Sequence, residues 1–147
     1  MTANELKVYT DASYDRDSGF CGYSFLILKN QRIIHEFSGL AFANSPFNAE
    51  LFALTSALEY LYNTRKTNTN KISVQIFVDC LSIAQKKRVK PNGDLMFQYL
   101  EFLRTKFKAS EITWVKGHSV NHFNKLVDKR SRKMLREHIE AITYLKG

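Results

Sequence analysis

The N-terminal half of the chain begins with the period-two spacing of hydrophobic residues that is typical of β-strands. Leu6, Val8 and Thr10 fall on one side of this segment and the residues between them on the other, as in a strand that buries one face. Four later segments are also interpreted as strands, and the first two of them are joined near Asn30 and Gln31, which predicts an antiparallel hairpin. The five predicted strands cover approximately residues 6–11, 19–30, 31–43, 71–79 and 111–118.

Between the third and fourth strands, and again before and after the fifth, the hydrophobic spacing becomes helical. Residues 45–65 and 94–107 are predicted helices, residues 80–90 a short helix or turn, and a last helix begins near Asn121. In the predicted helix at 45–65, the stripe that faces inward contains Glu50, Leu54, Ala57 and Leu61. In the predicted helix at 94–107, the corresponding stripe contains Met96, Tyr99, Leu103 and Phe107. Three strands followed by alternating helices and strands predict one domain in which helices cover a mixed sheet.

The composition narrows the class of partner. With 22 Lys and Arg against 14 Asp and Glu, the chain has a net charge of +8 and favours a polyanion such as nucleic acid. No hydrophobic run is long enough to span a membrane, and the N-terminus lacks the pattern of a signal peptide. Cys21 and Cys80 are too isolated for a metal site or a disulfide framework, so reduced thiols in a cytoplasmic protein are expected.

Four carboxylates occupy unusual positions. Asp11 and Asp79 are each predicted at the C-terminal end of a largely apolar strand, and Glu50 in the first turn of its helix. Taken singly, such residues are explained by turns, the helix dipole or surface ion pairs. Because sites in open α/β sheets collect beyond the carboxyl ends of strands, the four are expected to converge. Asp128 shares one side of the last helix with Asn124, Ser131 and Leu135.

A cluster of four carboxylates requires a cation, since the charges would otherwise repel one another and become protonated. Oxygen ligands without a Cys or His cluster favour Mg²⁺ or Mn²⁺ over Zn²⁺. Two such ions about 4 Å apart are able to clamp the attacking water and the leaving oxygen in phosphodiester hydrolysis. Ala12 and Ser13, which follow Asp11, are small, as the close approach of a nucleic-acid backbone would require.

Two basic segments are candidates for phosphate contact. The first is the run KKRVK at 86–90, which begins with Lys86, Lys87 and Arg88. The second is a stripe at helical spacing on the last helix. A charged stripe is most often a solvated face, but beside an acidic metal site at least one of the two is expected to bind phosphates. The stripe comprises Lys125, Lys129, Arg132 and Arg136.

Four segments, YTDAS, NAELFAL, IFVDC and WVKGHSVNHFNKLVD, resemble in this order the four blocks of type 1 ribonuclease H. The resemblance covers about Leu6 to Leu135, and residues 1–147 are taken as a single domain. It implies the α/β (α+β mixed) ribonuclease H-like fold, a five-stranded mixed sheet in the order 3-2-1-4-5 with strand 2 antiparallel. It also implies Mg²⁺-dependent endonucleolytic cutting of the RNA strand of RNA/DNA hybrids, leaving 3′-hydroxyl and 5′-phosphate ends.

The resemblance also implies roles for individual residues. Asp11 would bridge two metal ions, Glu50 and Asp79 would hold the second, and Asp128 would hold the ion that activates water. His118, in the KGH segment, matches a mobile histidine that aids proton transfer or product departure. Asn124 matches an asparagine of the last block and is a candidate nucleic-acid contact. The chain departs from the family at Ala12, where glycine is common, and at Leu81, where a base-contacting glutamine is common.

Two other functions stay open at this point. A nuclease or transposase of the same fold acting on DNA would need the same metal site, although the KGH segment argues against it. A module that binds nucleic acid without cutting it is the other alternative, and the retention of all four carboxylates argues against that. No protein partner is evident, and the expectation is a monomer unless the chain is part of a reverse transcriptase polyprotein; Met1 favours a free protein.

Overall fold

The computed structural model describes residues 4–65, 68–85, 95–116 and 121–146. Its elements follow the predicted order, including the short helix after the fourth strand. The strands are β1 (Glu5–Tyr14), β2 (Phe20–Lys29), β3 (Arg32–Phe42), β4 (Ser73–Val78) and β5 (Ala109–Trp114). The helices are α1 (Pro46–Thr64), α2 (Leu81–Gln85), α3 (Leu95–Arg104) and α4 (His122–Lys146), with a 3₁₀ turn at Thr69–Lys71.

The strands form one mixed sheet in the order β3-β2-β1-β4-β5. The pairs β1–β2 and β2–β3 are antiparallel, and the pairs β1–β4 and β4–β5 are parallel. The expected sheet, with β2 antiparallel to its neighbours, is therefore confirmed. The β2–β3 hairpin turns at Asn30 and Gln31, whose φ angles of 52° and 65° match a two-residue turn that follows the twist of the strands.

Helices cover both faces of the sheet. Because side chains alternate along a strand, Val8 joins the larger core under α1 and α3, whereas Tyr9 joins a smaller core under α4. The smaller core contains Tyr9, Leu26, Leu28 and Val127. Among the helices that the structure describes, none has the length and hydrophobicity needed to span a bilayer.

The start of α1 corrects one prediction. The side chain of Ser45 accepts a hydrogen bond from the backbone N–H of Asn48 at 3.0 Å, and Pro46 occupies the first turn. This N-cap starts the helix early enough that its first turn holds no acidic residue. Glu50 therefore lies beyond the first turn, and stabilisation of the helix dipole does not explain its position.

The hydrophobic face of α3 also differs from the prediction. The helix buries Phe97, Leu100 and Leu103 against α1 and the sheet. Tyr99 instead lies at the surface, where its hydroxyl donates to Glu59 Oε2 at 2.5 Å. Spacings of three and four residues fit more than one stripe of a short helix, and the packing partner selects between them. Phe107 is buried as well, but it lies beyond the end of the helix at Arg104.

Candidate active site

The site begins where β1 and β4 separate. Their parallel pairing ends at Tyr9 and Phe77, but β1 continues to pair with β2 as far as Tyr14. The prediction that Asp11 ends its strand is therefore wrong, because the antiparallel partner extends beyond the parallel one. Asp11 lies two residues past the last β4 pair, in a paired strand that holds its backbone in place.

Three carboxylates meet at this separation. Asp79 follows β4 directly, and Glu50 reaches the same place from α1. One carboxylate oxygen from each of Asp11, Glu50 and Asp79 lies within 4.8 Å of the others. Asp11 is only 2% exposed, so the cluster is built around a buried charge. Such an arrangement is costly unless protons or cations compensate the charges.

Asp128 approaches the cluster from α4, on the other face of the sheet. A hydrogen bond between Asp128 and Asp11 is one of the interactions that raise the pKa of Asp11. Asp128 Oδ1 also accepts a hydrogen bond from Arg132 Nε at 3.1 Å, one helical turn away. The structure thus brings the four carboxylates into one region, and Arg132 supplies a positive charge at its edge.

Gly22 on β2 allows α4 to lie close to the sheet. A Cβ atom at this position would lie 2.1 Å from the carbonyl oxygen of Ser131 and 2.9 Å from the backbone nitrogen of Leu135. Only glycine permits this approach, which places Asp128, one turn before Ser131, beside β1. Sequence reasoning missed Gly22, although a glycine inside a strand is the usual signal for a close backbone contact.

Asn121, near which the sequence predicted the start of the last helix, has a second contact that sequence reasoning missed. Its side-chain oxygen accepts a hydrogen bond from the backbone N–H of Asn124 at 2.9 Å, which caps the start of α4. Its Nδ2 donates to the hydroxyl of Tyr9 at 3.3 Å, two residues before Asp11 on β1. The signal in the sequence was an asparagine directly before a helical pattern. This contact ties the start of α4 to the strand that carries Asp11.

Burial and like charges shift the protonation of the cluster in the metal-free protein. The pKa of Asp11 is raised first by burial and then by the charges of Glu50 and Asp79. Burial and the charge of Asp79 raise the pKa of Glu50 well above its usual range. The pKa of Asp79 is raised mainly by burial, whereas hydrogen bonding with Asp11 and the charge of Arg132 lower it. The cluster therefore retains protons at a pH where isolated carboxyls have lost them.

The donor atoms fit a hard divalent cation. Glu50 Oε1 accepts a hydrogen bond from the N–H of Ala12 at 3.3 Å, whereas the buried Oε2 has no hydrogen-bond partner among the described residues. Because buried polar atoms in proteins normally have a bonding partner, Glu50 Oε2 is a candidate ligand atom. Clustered carboxylate oxygens are the ligands that Mg²⁺ and Mn²⁺ prefer.

The other predicted contact residues lie in several environments. Ala12 and Ser13 are half-buried in β1, and Asn124 is only 3% exposed, with its Oδ1 unpaired within the described part of the chain. Lys129 and Arg132 are exposed on α4. The remaining predicted site residues, Lys86, Lys87, Arg88 and His118, lie outside the described residues.

Comparisons with known proteins give a consistent result. The family model of RNase H matches residues 3–136. RNase H1 from the halophilic archaeon Halobacterium salinarum is similar in structure, with a TM-score of 0.74 and 16% identity over 90% of this chain and 98% of that one. The N-terminal RNase H domain of Rv2228c from Mycobacterium tuberculosis is also similar, with a TM-score of 0.76 and 13% identity over 94% of this chain and 98% of that one.

A third solved structure contains nucleic acid. LC11-RNase H1, from a compost metagenome, was solved in complex with an RNA/DNA hybrid; it gives a TM-score of 0.69 and 19% identity over 88% of this chain and 99% of that one. No curated protein sequence matches the chain significantly. At these identities the structural neighbours share the fold, a five-stranded mixed sheet with helices on both faces.

Proposed function

Since the chain belongs to the ribonuclease H family, we propose that it is an endonuclease that hydrolyses the RNA strand of RNA/DNA hybrids, leaving 3′-hydroxyl and 5′-phosphate ends. The observation that carries this proposal is the carboxylate cluster at the separation of β1 and β4. The net charge of +8 supports a polyanionic substrate. A neighbour of the same fold was solved with an RNA/DNA hybrid, which supports the substrate class.

Within this proposal, Asp11, Glu50, Asp79 and Asp128 would hold two Mg²⁺ ions, or Mn²⁺ in their place. When bound, such ions lower the pKa of the attacking water and stabilise the leaving oxygen. By the family resemblance, Asp11 would be a ligand of both ions, and Asp128 would be a ligand of the ion that activates water. The chain itself supplies the orientation, since the N–H of Ala12 holds one oxygen of Glu50 and leaves the other available.

Other residues would position the substrate. In the basic stripe on α4, Arg132 contacts Asp128 and the exposed Lys129 follows Asp128 in the sequence, so these two residues are proposed to contact phosphates next to the cluster. Lys86, Lys87 and Arg88 are proposed to contact phosphates as well, and Ala12, Ser13 and Asn124 to lie against the substrate. His118 stays a predicted aid to proton transfer or product departure. We propose that a single copy of the chain carries out the hydrolysis.

The cellular setting belongs to the same proposal. We propose that residues 1–147 form one domain, since a single sheet connects all the described elements. Cys21 and Cys80 are both free thiols in the described part of the chain, which supports a cytoplasmic site of action.

The test is a cleavage assay with four labelled substrates: RNA/DNA hybrid, single-stranded RNA, duplex RNA and duplex DNA. Cutting of the hybrid's RNA strand alone, in Mg²⁺ but not in EDTA, is the expected result. Asp79→Asn keeps the shape of the side chain but removes a charge that the ions need, and it should abolish cutting. Asp17→Asn, at an exposed position between β1 and β2, is the matched control and should cut normally.

Each other outcome identifies an alternative. Cutting of duplex DNA would indicate a DNA nuclease of the same fold. Binding of the hybrid without cutting would indicate a module that has lost catalysis. Cutting that persists in EDTA or in Asp79→Asn would refute the metal mechanism.

A further inference from the structure

Strand β3 forms one edge of the sheet, and no strand in the described part of the chain pairs with its outer side. It is 11 residues long, whereas β5 at the opposite edge has six. A long edge strand with apolar side chains is a template for pairing with another strand. Five large hydrophobic residues of β3 are exposed: Ile33 (38%), Ile34 (42%), Phe37 (45%), Leu40 (37%) and Phe42 (71%).

The usual protections of an edge strand cover only part of β3. A β-bulge interrupts the pairing with β2 at Ile34, near the start of the strand, and residues 35–42 then pair without interruption. Glu36, the acidic residue of this stretch, forms an ion pair with Arg130 of α4, with 2.6 Å between Glu36 Oε2 and Arg130 Nη1. The region from His35 to Phe42 thus remains a regular edge without a lysine or proline to discourage pairing.

We propose that β3 pairs antiparallel with β3 of a second copy, around a two-fold axis at Phe37, and joins the two sheets into one. In this register Phe37 lies opposite its own symmetry mate, which makes an aromatic cross-strand pair. Glu36 lies opposite Ser38, and His35 opposite Gly39, so no like charges within β3 face each other. Toward the ends, Leu40 of one copy lies near Ile33 and Ile34 of the other.

The neighbouring registers are less favourable, and this preference for one symmetric register favours β3 of a second copy as the strand that pairs with this edge. A two-fold axis at Glu36 would place two glutamates directly opposite each other. An axis at Ser38 would place Glu36 opposite the exposed Leu40. Self-complementarity about a single residue is the property that an isologous dimer interface requires.

The proposed dimer goes beyond the proposed hydrolysis and does not depend on it. Strand β2 lies between β3 and the strand that carries Asp11. Pairing at the β3 edge therefore leaves the carboxylate cluster of each copy accessible. Each copy has a net charge of +8, so the two copies repel one another, and added salt screens this repulsion. Dimerisation should therefore strengthen as salt is added, whereas binding of a nucleic acid should weaken.

The test is sedimentation velocity of the full chain over a range of protein and salt concentrations. The wild type should form a dimer in a concentration-dependent manner. Phe37→Lys and Phe37→Glu should each be monomeric, because each places two like charges opposite each other. An equimolar mixture of the two variants should restore a dimer, detected by labelling one of them, because opposite charges then face each other at the axis.

Phe102→Lys is the matched control. Phe102 is 49% exposed on α3, so this variant also replaces an exposed phenylalanine with a charge, and it should dimerise like the wild type. Leu40→Lys is the second variant on the edge, for use if substitutions at Phe37 lower the melting temperature severely, and it should weaken the dimer. A wild type that stays monomeric at high salt and high concentration would overturn the proposal. Dimers that survive Phe37→Lys and Leu40→Lys would also overturn it.

Discussion

Asp11 shows how much of this protein's chemistry depends on one residue in an unfavourable environment. Its carboxyl is buried, has two acidic neighbours and is hydrogen-bonded to a third acid, and each of these interactions raises its pKa. In the metal-free protein, the folded state therefore binds a proton more tightly at Asp11 than the unfolded chain does. The stability that this proton provides is complete below the unfolded pKa, near 4, and is lost as the pH rises toward the raised folded value.

Asp11→Asn should accordingly stabilise the metal-free protein, and by more at pH 8 than at pH 5. The asparagine keeps the shape of a neutral carboxyl, whereas the wild type loses up to about 1.4 kcal/mol per pH unit at this one group. Thermal unfolding in EDTA across this pH range measures the difference. Added Mg²⁺ should raise the melting temperature of the wild type and leave that of the variant nearly unchanged, because one shared ligand is missing.

Asp17→Asn, at the surface, should show neither effect. A fall in the metal-free melting temperature of Asp11→Asn would instead mean that the carboxylate is a structural hydrogen-bonding group.

At the scale of elements, the site depends on how α4 lies across the sheet. Gly22 permits the backbone of α4 to approach β2, and Asn121 joins the start of the helix to Tyr9 of β1. These contacts hold Asp128 beside Asp11, although α4 lies on the opposite face of the sheet from α1, which carries Glu50. A small displacement of the helix would therefore separate one carboxylate from the other three while leaving the sheet intact.

Gly22→Ala should lower the free energy of unfolding by about 1–3 kcal/mol, since the added methyl group overlaps backbone atoms of α4. It should also lower the turnover of hybrid substrate by roughly 100-fold, because a shift of about 1 Å at a catalytic group has such an effect. The decisive measurement is the rise in melting temperature on adding Mg²⁺, which should be smaller than in the wild type.

Gly39→Ala serves as the comparison. Its added methyl group would meet the side chains of Phe37 and Tyr23 and no backbone atom of α4, so stability should fall while the response to Mg²⁺ is kept. An equal Mg²⁺ response in both variants would show that α4 does not position the metal ligands.

At the scale of the whole molecule, the positive charge is unevenly placed. In the α4 stripe, Arg132 contacts Asp128 and Lys129 directly follows Asp128 in the sequence. Lys133 of the same helix instead pairs with Glu137 at 3.9 Å, and both residues line a groove between α4 and β3. The net charge attracts nucleic acid from a distance, and the local charges determine which side of the molecule it contacts.

Lys129→Gln should therefore weaken hybrid binding and reduce its salt dependence. Loss of one phosphate contact lowers the slope of log K against log salt by about 0.7–0.9. Lys133→Gln removes the same charge from the same helix, and the slope should stay at the wild-type value. The measurement is hybrid binding to metal-free protein over a range of salt. Equal slopes in the two variants would mean that Lys129 contributes only to the net charge.

The sequence by itself determined the elements and the type of chemistry, because both are local properties. Hydrophobic periodicity depends on neighbouring residues, so the existence and order of the five strands and the helices were predicted, although the ends of β1 and β5 were not. Carboxylates at largely apolar strand segments, as at Asp11 and Asp79, are equally visible without a structure. The four family segments added the sheet order, which the structure confirmed.

Only the tertiary structure decided which residues meet, because that depends on segments far apart in the chain. The extent of β2 decided that β1 runs past Asp11, and the packing of α3 on α1 decided that Phe97 rather than Tyr99 is buried. The approach of α4 at Gly22 decided that Asp128 reaches Asp11. The sheet order likewise left the apolar residues of β3 at an edge, since burial is a property of the assembled sheet and not of the strand.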